Sequence, residues 1–274
     1  MDGTTMNDNR RLALRSIQRV WSIALLLLLL CMCASAEVKL PRVFSDHMVL
    51  QQGRDIPVWG SAAPGEKIAV TLGANERDTV AGADGHWTVR LPAMNAGGPF
   101  TMKVKGNTTL QFKDVMIGEV WLASGQSNMT FPLAGSEGAD KELPTANVPE
   151  IRLFMVPRKI ALEPQSDVAG GSWQLCTPDT AREFSAVACY FARELQRKLG
   201  VPVGIIESAW PGTAAEEWTA AEALRSEADF APILERWDGA IPSVREFARQ
   251  ALPFDLEFDD FESCRTTLLP QRFC

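Results

Sequence analysis

Ser127 lies in the run Gly125-Gln126-Ser127-Asn128-Met129, directly after a stretch of apolar residues, and is the side chain best placed to act as a nucleophile. A nucleophilic serine needs an exposed hydroxyl, a base to take its proton, and amide donors for the oxyanion that forms on the attacked carbonyl. Gly125 permits a tight turn, and the backbone N–H of Ser127 is a natural oxyanion donor. The run lacks the closing glycine of the G-x-S-x-G elbow, so the nucleophile turn is of another type. Gln126 and Asn128 flank the serine and are candidates for orienting the turn or contacting substrate. The chain holds only two histidines, His47 and His86. His47 belongs to a Ser45-Asp46-His47-Met48 segment, and His86 follows Asp84-Gly85 in what reads as a hairpin; both read as structural rather than as the base.

The elements that must position Ser127 follow from hydrophobic periodicity. Up to about Lys113 the apolar residues alternate, as in Ile68, Val70 and Leu72, then Trp87, Val89 and Leu91, then Phe100, Met102 and Val104. With turn signals at Pro64-Gly65, Asp84-Gly85 and Gly97-Gly98, this predicts short antiparallel strands of a small β-sandwich module over 37–113. From Val115 to Ala123 the apolar run is nearly continuous, which predicts a strand covered on both faces, as in parallel sheets. Phe184, Val187, Ala188, Phe191, Leu195 and Leu199 recur at helical spacing, Gly200 supplies a stop, and Val201 to Ile206 reads as the next strand. Strand, helix, strand implies an α/β domain over 114–254, with Ser127 at the carboxyl end of its first strand, where open α/β sheets bind ligands.

Three segments carry a family resemblance. Trp121-Leu122-Ala123-Ser124-Gly125-Gln126-Ser127-Asn128-Met129 resembles the nucleophile block of the sialate O-acetylesterases, carbohydrate esterases of the SGNH-hydrolase superfamily. Phe44-Ser45-Asp46-His47-Met48-Val49-Leu50-Gln51 resembles the start of that family's N-terminal β module. Trp210-Pro211-Gly212-Thr213-Ala214-Ala215-Glu216-Glu217-Trp218 resembles its W-G-G-T-x-x-E-x-W segment. The resemblance implies a flavodoxin-like three-layer α/β fold, Ser127 as the nucleophile that takes an acetyl group from a sugar hydroxyl, and Gly212 as a second oxyanion donor. It also implies an acidic site residue at Glu216 and no metal or cofactor. Trp210 and Trp218 are candidates for a sugar platform, with core packing as the alternative.

The sequence departs from the family in lacking the D-x-x-H block that supplies the base and the Q-G-E segment that precedes it. The match fades beyond Trp218, and 255–274 reads as a divergent tail. The SGNH domain is therefore expected to be incomplete, as from a truncated or frameshifted reading, and to leave apolar faces uncovered. Two functions stay open at this point: an acetylesterase, and an inactive product that at most binds carbohydrate. A lectin-like adhesion module would rest on the N-terminal strands alone.

Bulk properties set the surroundings. The 274 residues are 46% hydrophobic and 22% charged, with a net charge of −7 and no block of like charge, which excludes a nucleic-acid footprint. Residues 1–36 read as an export signal: Arg10, Arg11, Arg15 and Arg19 precede the apolar run Trp21 to Cys33, and Ala34-Ser35-Ala36 offers a cleavage site. Cleavage removes four Arg and two Asp, which takes the net charge from −7 to −9. The mature protein is expected in the periplasm or outside the cell, without stable membrane insertion, because the apolar run is shorter than the ~18 residues a span needs. Cleavage would leave Cys176, Cys189, Cys264 and Cys274, enough for one or two disulfides in an oxidising compartment and spaced too widely for a zinc site. Asn107-Thr108-Thr109 and Asn128-Met129-Thr130 fit the glycosylation pattern, but a glycan on Asn128 would crowd Ser127, and neither is read as used.

Overall fold

In the computed structural model, residues 37–159 and 165–251 are described. The expected export signal over 1–36 and the divergent tail over 255–274, with Cys31, Cys33, Cys264 and Cys274, lie outside the described residues. The strands are β1 (Val49–Gln51), β2 (Ile56–Ser61), β3 (Lys67–Leu72), β4 (Asn75–Val80), β5 (His86–Leu91), β6 (Gly97–Lys105), β7 (Thr109–Gly125), β8 (Val148–Met155), β9 (Trp173–Cys176) and β10 (Val203–Ala209). The helices are α1 (Ala139–Glu142), α2 (Pro178–Arg182), α3 (Ala186–Leu199), α4 (Ala221–Arg225) and α5 (Ala231–Ala251).

The alternating residues form the two layers they predict. A β2–β5 antiparallel ribbon packs on the sheet order β4-β3-β6-β7. Each strand sends every second residue into one core: Val58 from β2, Ile68, Val70 and Leu72 from β3, Trp87 and Leu91 from β5, Met102 and Val104 from β6. Period-two burial is what a sheet with one wet face requires. Pro64-Gly65 and Asp84-Gly85 turn the chain as expected, with Gly65 and Gly85 in left-handed backbone at φ 78° and 79°. Gly97-Gly98, in contrast, opens β6 rather than forming a turn.

β7 joins the layers. Its first part pairs antiparallel with β6, Met116–Gly118 pair parallel with β1, and Glu119–Gly125 pair parallel with β10. Just before the change of partner, Asp114 adopts φ 53°, and its carboxylate Oδ2 takes the His47 ring at 2.7 Å and the Arg152 guanidinium at 3.1 Å. His47 is itself left-handed at φ 68°. The structural reading of His47 thus acquires a partner set: the imidazole belongs to a clasp between the β1 approach, β7 and β8.

The α/β layer is the parallel trio β7-β10-β8, with β9 antiparallel at the edge. Ile151, Arg152, Leu153 and Phe154 are buried in succession, as are Val203, Gly204 and Ile205, which is the burial of strands covered on both faces. On one side lie α2 and α3, capped by Thr177 and Ser185, whose hydroxyls accept the N–H of Thr180 and Ala188. Gly200 ends α3 at φ 65°, as the stop signal predicts. The helix buries its small residues Ala188 and Ala192 against the sheet and leaves Val187 and Phe191 exposed, because alanine lets a helix approach closely. On the other side Gly204 lies so near β1 that a Cβ there would meet the Val49 Cβ at 2.8 Å.

β7 departs from the expectation of cover on both faces. Trp121 is 44% exposed and Leu122 65%. Past Gly118 this strand has a pairing partner only in β10 among the described residues, and Trp121 is met by Phe191 edge-on at 5.1 Å. Exposed apolar side chains are therefore present at this edge, Trp121 beside Phe191 of α3 on one face of the sheet and Leu122 on the opposite face.

Candidate active site

Ser127 is exposed and sits two residues beyond the end of β7, on one tight turn in which Gln126 O accepts the N–H groups of Met129 at 2.9 Å and Thr130 at 3.1 Å. Gly125, at φ 145°, redirects the chain from strand to turn, a conformation that only glycine adopts readily. The Ser127 hydroxyl makes no hydrogen bond among the described residues. Its backbone N–H is engaged: it donates to Oε1 of Gln126 at 2.8 Å. The expected oxyanion donor is thus occupied by the neighbouring side chain, and a carbonyl oxygen has to displace Gln126 to use it. Asn128 is exposed beside it.

The loop that follows β10 lies alongside. Ala209 at the end of β10 is in register with Gly125, and the N–H of Trp210 donates to Gly125 O at 3.0 Å. Parallel pairing thus brings Trp210 to Thr213 next to the Ser127 turn although they are more than eighty residues away in sequence. Gly212 is left-handed at φ 76°, and Thr213 closes the loop by donating its hydroxyl to Trp210 O and accepting from the Trp218 indole, both at 2.8 Å. Trp210 is buried, so it packs inside rather than offering an open platform. Glu216 is engaged by Arg236 in an ion pair. Its neighbour Glu217 is the buried acid of this segment; burial pushes its carboxyl above the ordinary range, opposed by the Ala214 N–H.

The structure adds a residue that pattern reading missed. Glu207 on β10 is buried, and burial raises its carboxyl, opposed by the Ser185 N–H and the Arg158 guanidinium. Its Oε2 accepts that N–H at 3.0 Å. Ser185 in turn lies across the chain that leaves the Ser127 turn: its hydroxyl is 3.4 Å from the Met129 sulfur, and Ala186 N–H donates to Phe131 O at 2.8 Å. The available signal was a lone acid inside the apolar run Val203-Gly204-Ile205-Ile206-Glu207. Arg158 reaches the same rim, with Nε 3.4 Å from Ala209 O.

Neither histidine hydrogen-bonds Ser127; His47 is bound to Asp114 and His86 lies on the β2–β5 ribbon. Cys176 and Cys189 are free thiols lining one small cavity of about 20 Å³. Burial, followed by the Cys176 and Glu207 charges, pushes Cys189 up to about 12. No group of three or more His, Cys, Asp or Glu side chains that could hold a metal occurs among the described residues. Among them, too, no helix is long and apolar enough to cross a membrane.

A β module and a parallel α/β layer, with an exposed serine at the carboxyl end of the first parallel strand, make this a protein of the mixed α/β class with a candidate site at a strand end. No family model matches the chain. It is 34% identical over 201 residues to a sialate O-acetylesterase of Rattus norvegicus, and 32% identical over 202 residues to the Homo sapiens one. Each match takes in 66% of this chain, and 37% and 39% of the respective relative. A crystal structure of a carbohydrate acetylesterase from Xanthomonas citri is similar at a TM-score of 0.67 and 41% identity, over 71% of this chain and 45% of that one. Over the matched residues the chain is thus similar in sequence to the sialate O-acetylesterases and in fold to that carbohydrate acetylesterase. It spans about two fifths of the length of those curated relatives.

Proposed function

We propose that this protein removes O-acetyl groups from sialic acid or a related acetylated sugar through an acetyl-enzyme on Ser127, after export to the periplasm or the exterior. The observation that carries the reading is the exposed Ser127 hydroxyl on a turn docked against the Gly212 loop through Trp210 N–H and Gly125 O. Attack of Oγ on the acetyl carbonyl forms the Ser127 ester as the bond to the sugar oxygen breaks. The sugar leaves as an alcohol, taking a proton, and water then releases acetate. The oxyanion is met by the Gly212 amide and, once Gln126 withdraws, by the Ser127 amide. Gln126 and Asn128 line the approach to the hydroxyl, while Glu216, held by Arg236, shapes the rim.

A second reading is favoured by the absence of a histidine on Ser127: a carbohydrate-binding product without turnover. The two separate in one experiment. The full chain is assayed with an aryl acetate and with O-acetylated sialic acid, beside Ser127→Ala. Acetate release that disappears in Ser127→Ala supports the esterase; equal background in both proteins sinks it and leaves the binding reading.

A further inference from the structure

The β2–β5 ribbon carries on its outer side an open cleft of about 240 Å³ that shares no lining residue with the Ser127 turn. Trp59 and Ser61 are two residues apart on β2 and so point to the same side; His86, paired with Ser61 across the ribbon, joins them there. Trp59 is 40% exposed, and Phe44 braces its ring edge-on at 4.7 Å. The backbone of Lys39 bridges that of Ser61 in both directions, at 2.8 and 2.9 Å, which fixes one wall. Asp167 adds another, its Oδ1 held by the N–H groups of Arg42 and Val168, both at 2.8 Å.

The polar groups of this cleft divide by occupancy. Asp167 is committed to backbone donors and faces Arg42. The side chains of Lys39, Ser61 and His86 make no hydrogen bond or ion pair among the described residues. An exposed indole beside three unengaged donors suits a flat ligand with one apolar face and an anionic substituent, and the volume, below the ~300–1,000 Å³ of drug-sized pockets, admits one ring. The geometry points to a saccharide subsite on the β module, in which Trp59 stacks one carboxylated sugar ring while Lys39, His86 and Ser61 hold its carboxylate and hydroxyls. This subsite stands whether or not Ser127 turns over an ester.

The test is binding without catalysis. The full chain is titrated with glucuronic acid and with glucose, followed by saturation-transfer NMR and tryptophan fluorescence. Glucuronic acid is expected to bind on the order of tenfold more tightly than glucose. Lys39→Gln and His86→Ala, both at exposed side chains, each weaken it by about fivefold or more. Trp59→Ala abolishes binding of both sugars, with circular dichroism as the check on folding. Lys105→Gln, at an exposed lysine of β6 outside the cleft lining, leaves binding as it was. No binding of either sugar, equal binding of the two, binding that survives Trp59→Ala or both Lys39→Gln and His86→Ala, or loss in Lys105→Gln overturns the subsite.

Discussion

The carboxylate of Glu207 accepts the backbone N–H of Ser185 at 3.0 Å, and through this contact β10 grips the start of α3, which lies across the segment that leaves the Ser127 turn. Ser185 also caps α3, so one buried acid ties a strand, a helix start and the Ser127 turn together. Replacing it with Leu leaves the Ser185 N–H buried without an acceptor, for a loss of about 1–3 kcal/mol in chemical denaturation. Gln keeps an acceptor and is expected to cost well under half of that.

The same acid sets a pH dependence. Burial holds the Glu207 and Glu217 carboxyls above their ordinary value of 4.5, so in the folded state both keep a proton at pH values where the unfolded chain has released it. Stability therefore falls as pH rises from the ordinary carboxylate range through these raised values. Glu207→Gln is expected to flatten that fall, measured as Tm against pH; an unchanged slope contradicts it. Glu194, lowered to about 2 mainly by its hydrogen bonds to Arg197 and Lys198, acts in the opposite sense and loses its contribution as pH drops from 4.5 towards 2.

The Asp114 clasp is the second electrostatic joint. Arg152 is only 5% exposed in its side chain and relies on Asp114 for its charge partner. Asp114→Asn tolerates the left-handed backbone but removes the charge, and is expected to destabilise by about 2–4 kcal/mol. A value near zero would show that Arg152 finds another partner.

Packing at Gly204 is tight enough to test by one methyl group. The added Cβ of Gly204→Ala would lie 2.8 Å from Val49 and 3.0 Å from the Trp173 ring, and overpacking of that kind costs about 1–3 kcal/mol. Thermal unfolding checks it, with Gly53→Ala as the contrast: the space around Gly53 is open, and only its left-handed φ of 70° is penalised.

The Cys189 thiol, pushed up to about 12, carries almost no thiolate at neutral pH. In a native sample it is expected to react with a disulfide reagent far more slowly than in denaturant, and rapid native labelling at Cys189 would contradict the burial.

The sequence by itself determined the local structure and singled out Ser127 as the residue proposed for the nucleophile. Alternation in Ile68, Val70 and Leu72 or Trp87, Val89 and Leu91 specifies half-buried strands because side chains in a strand point alternately to opposite faces. Ser185 and Gly200 bound α3 through chemistry that acts within one turn. What only the tertiary structure decided involves partners distant in the chain. Parallel pairing of β7 with β10 brings the loop from Trp210 to Thr213 beside the strand end that leads into the Ser127 turn and sets Glu207 opposite Ala123, in reach of the Ser185 N–H. The exposure of Trp121 and Leu122 depends on which strands flank β7, which no local pattern encodes, and the capture of the Ser127 amide by Gln126 depends on one side-chain torsion at an exposed turn. Short-range periodicity reports which side of an element is dry; which neighbour keeps it dry, and which donors of the site stay free, is settled by long-range packing.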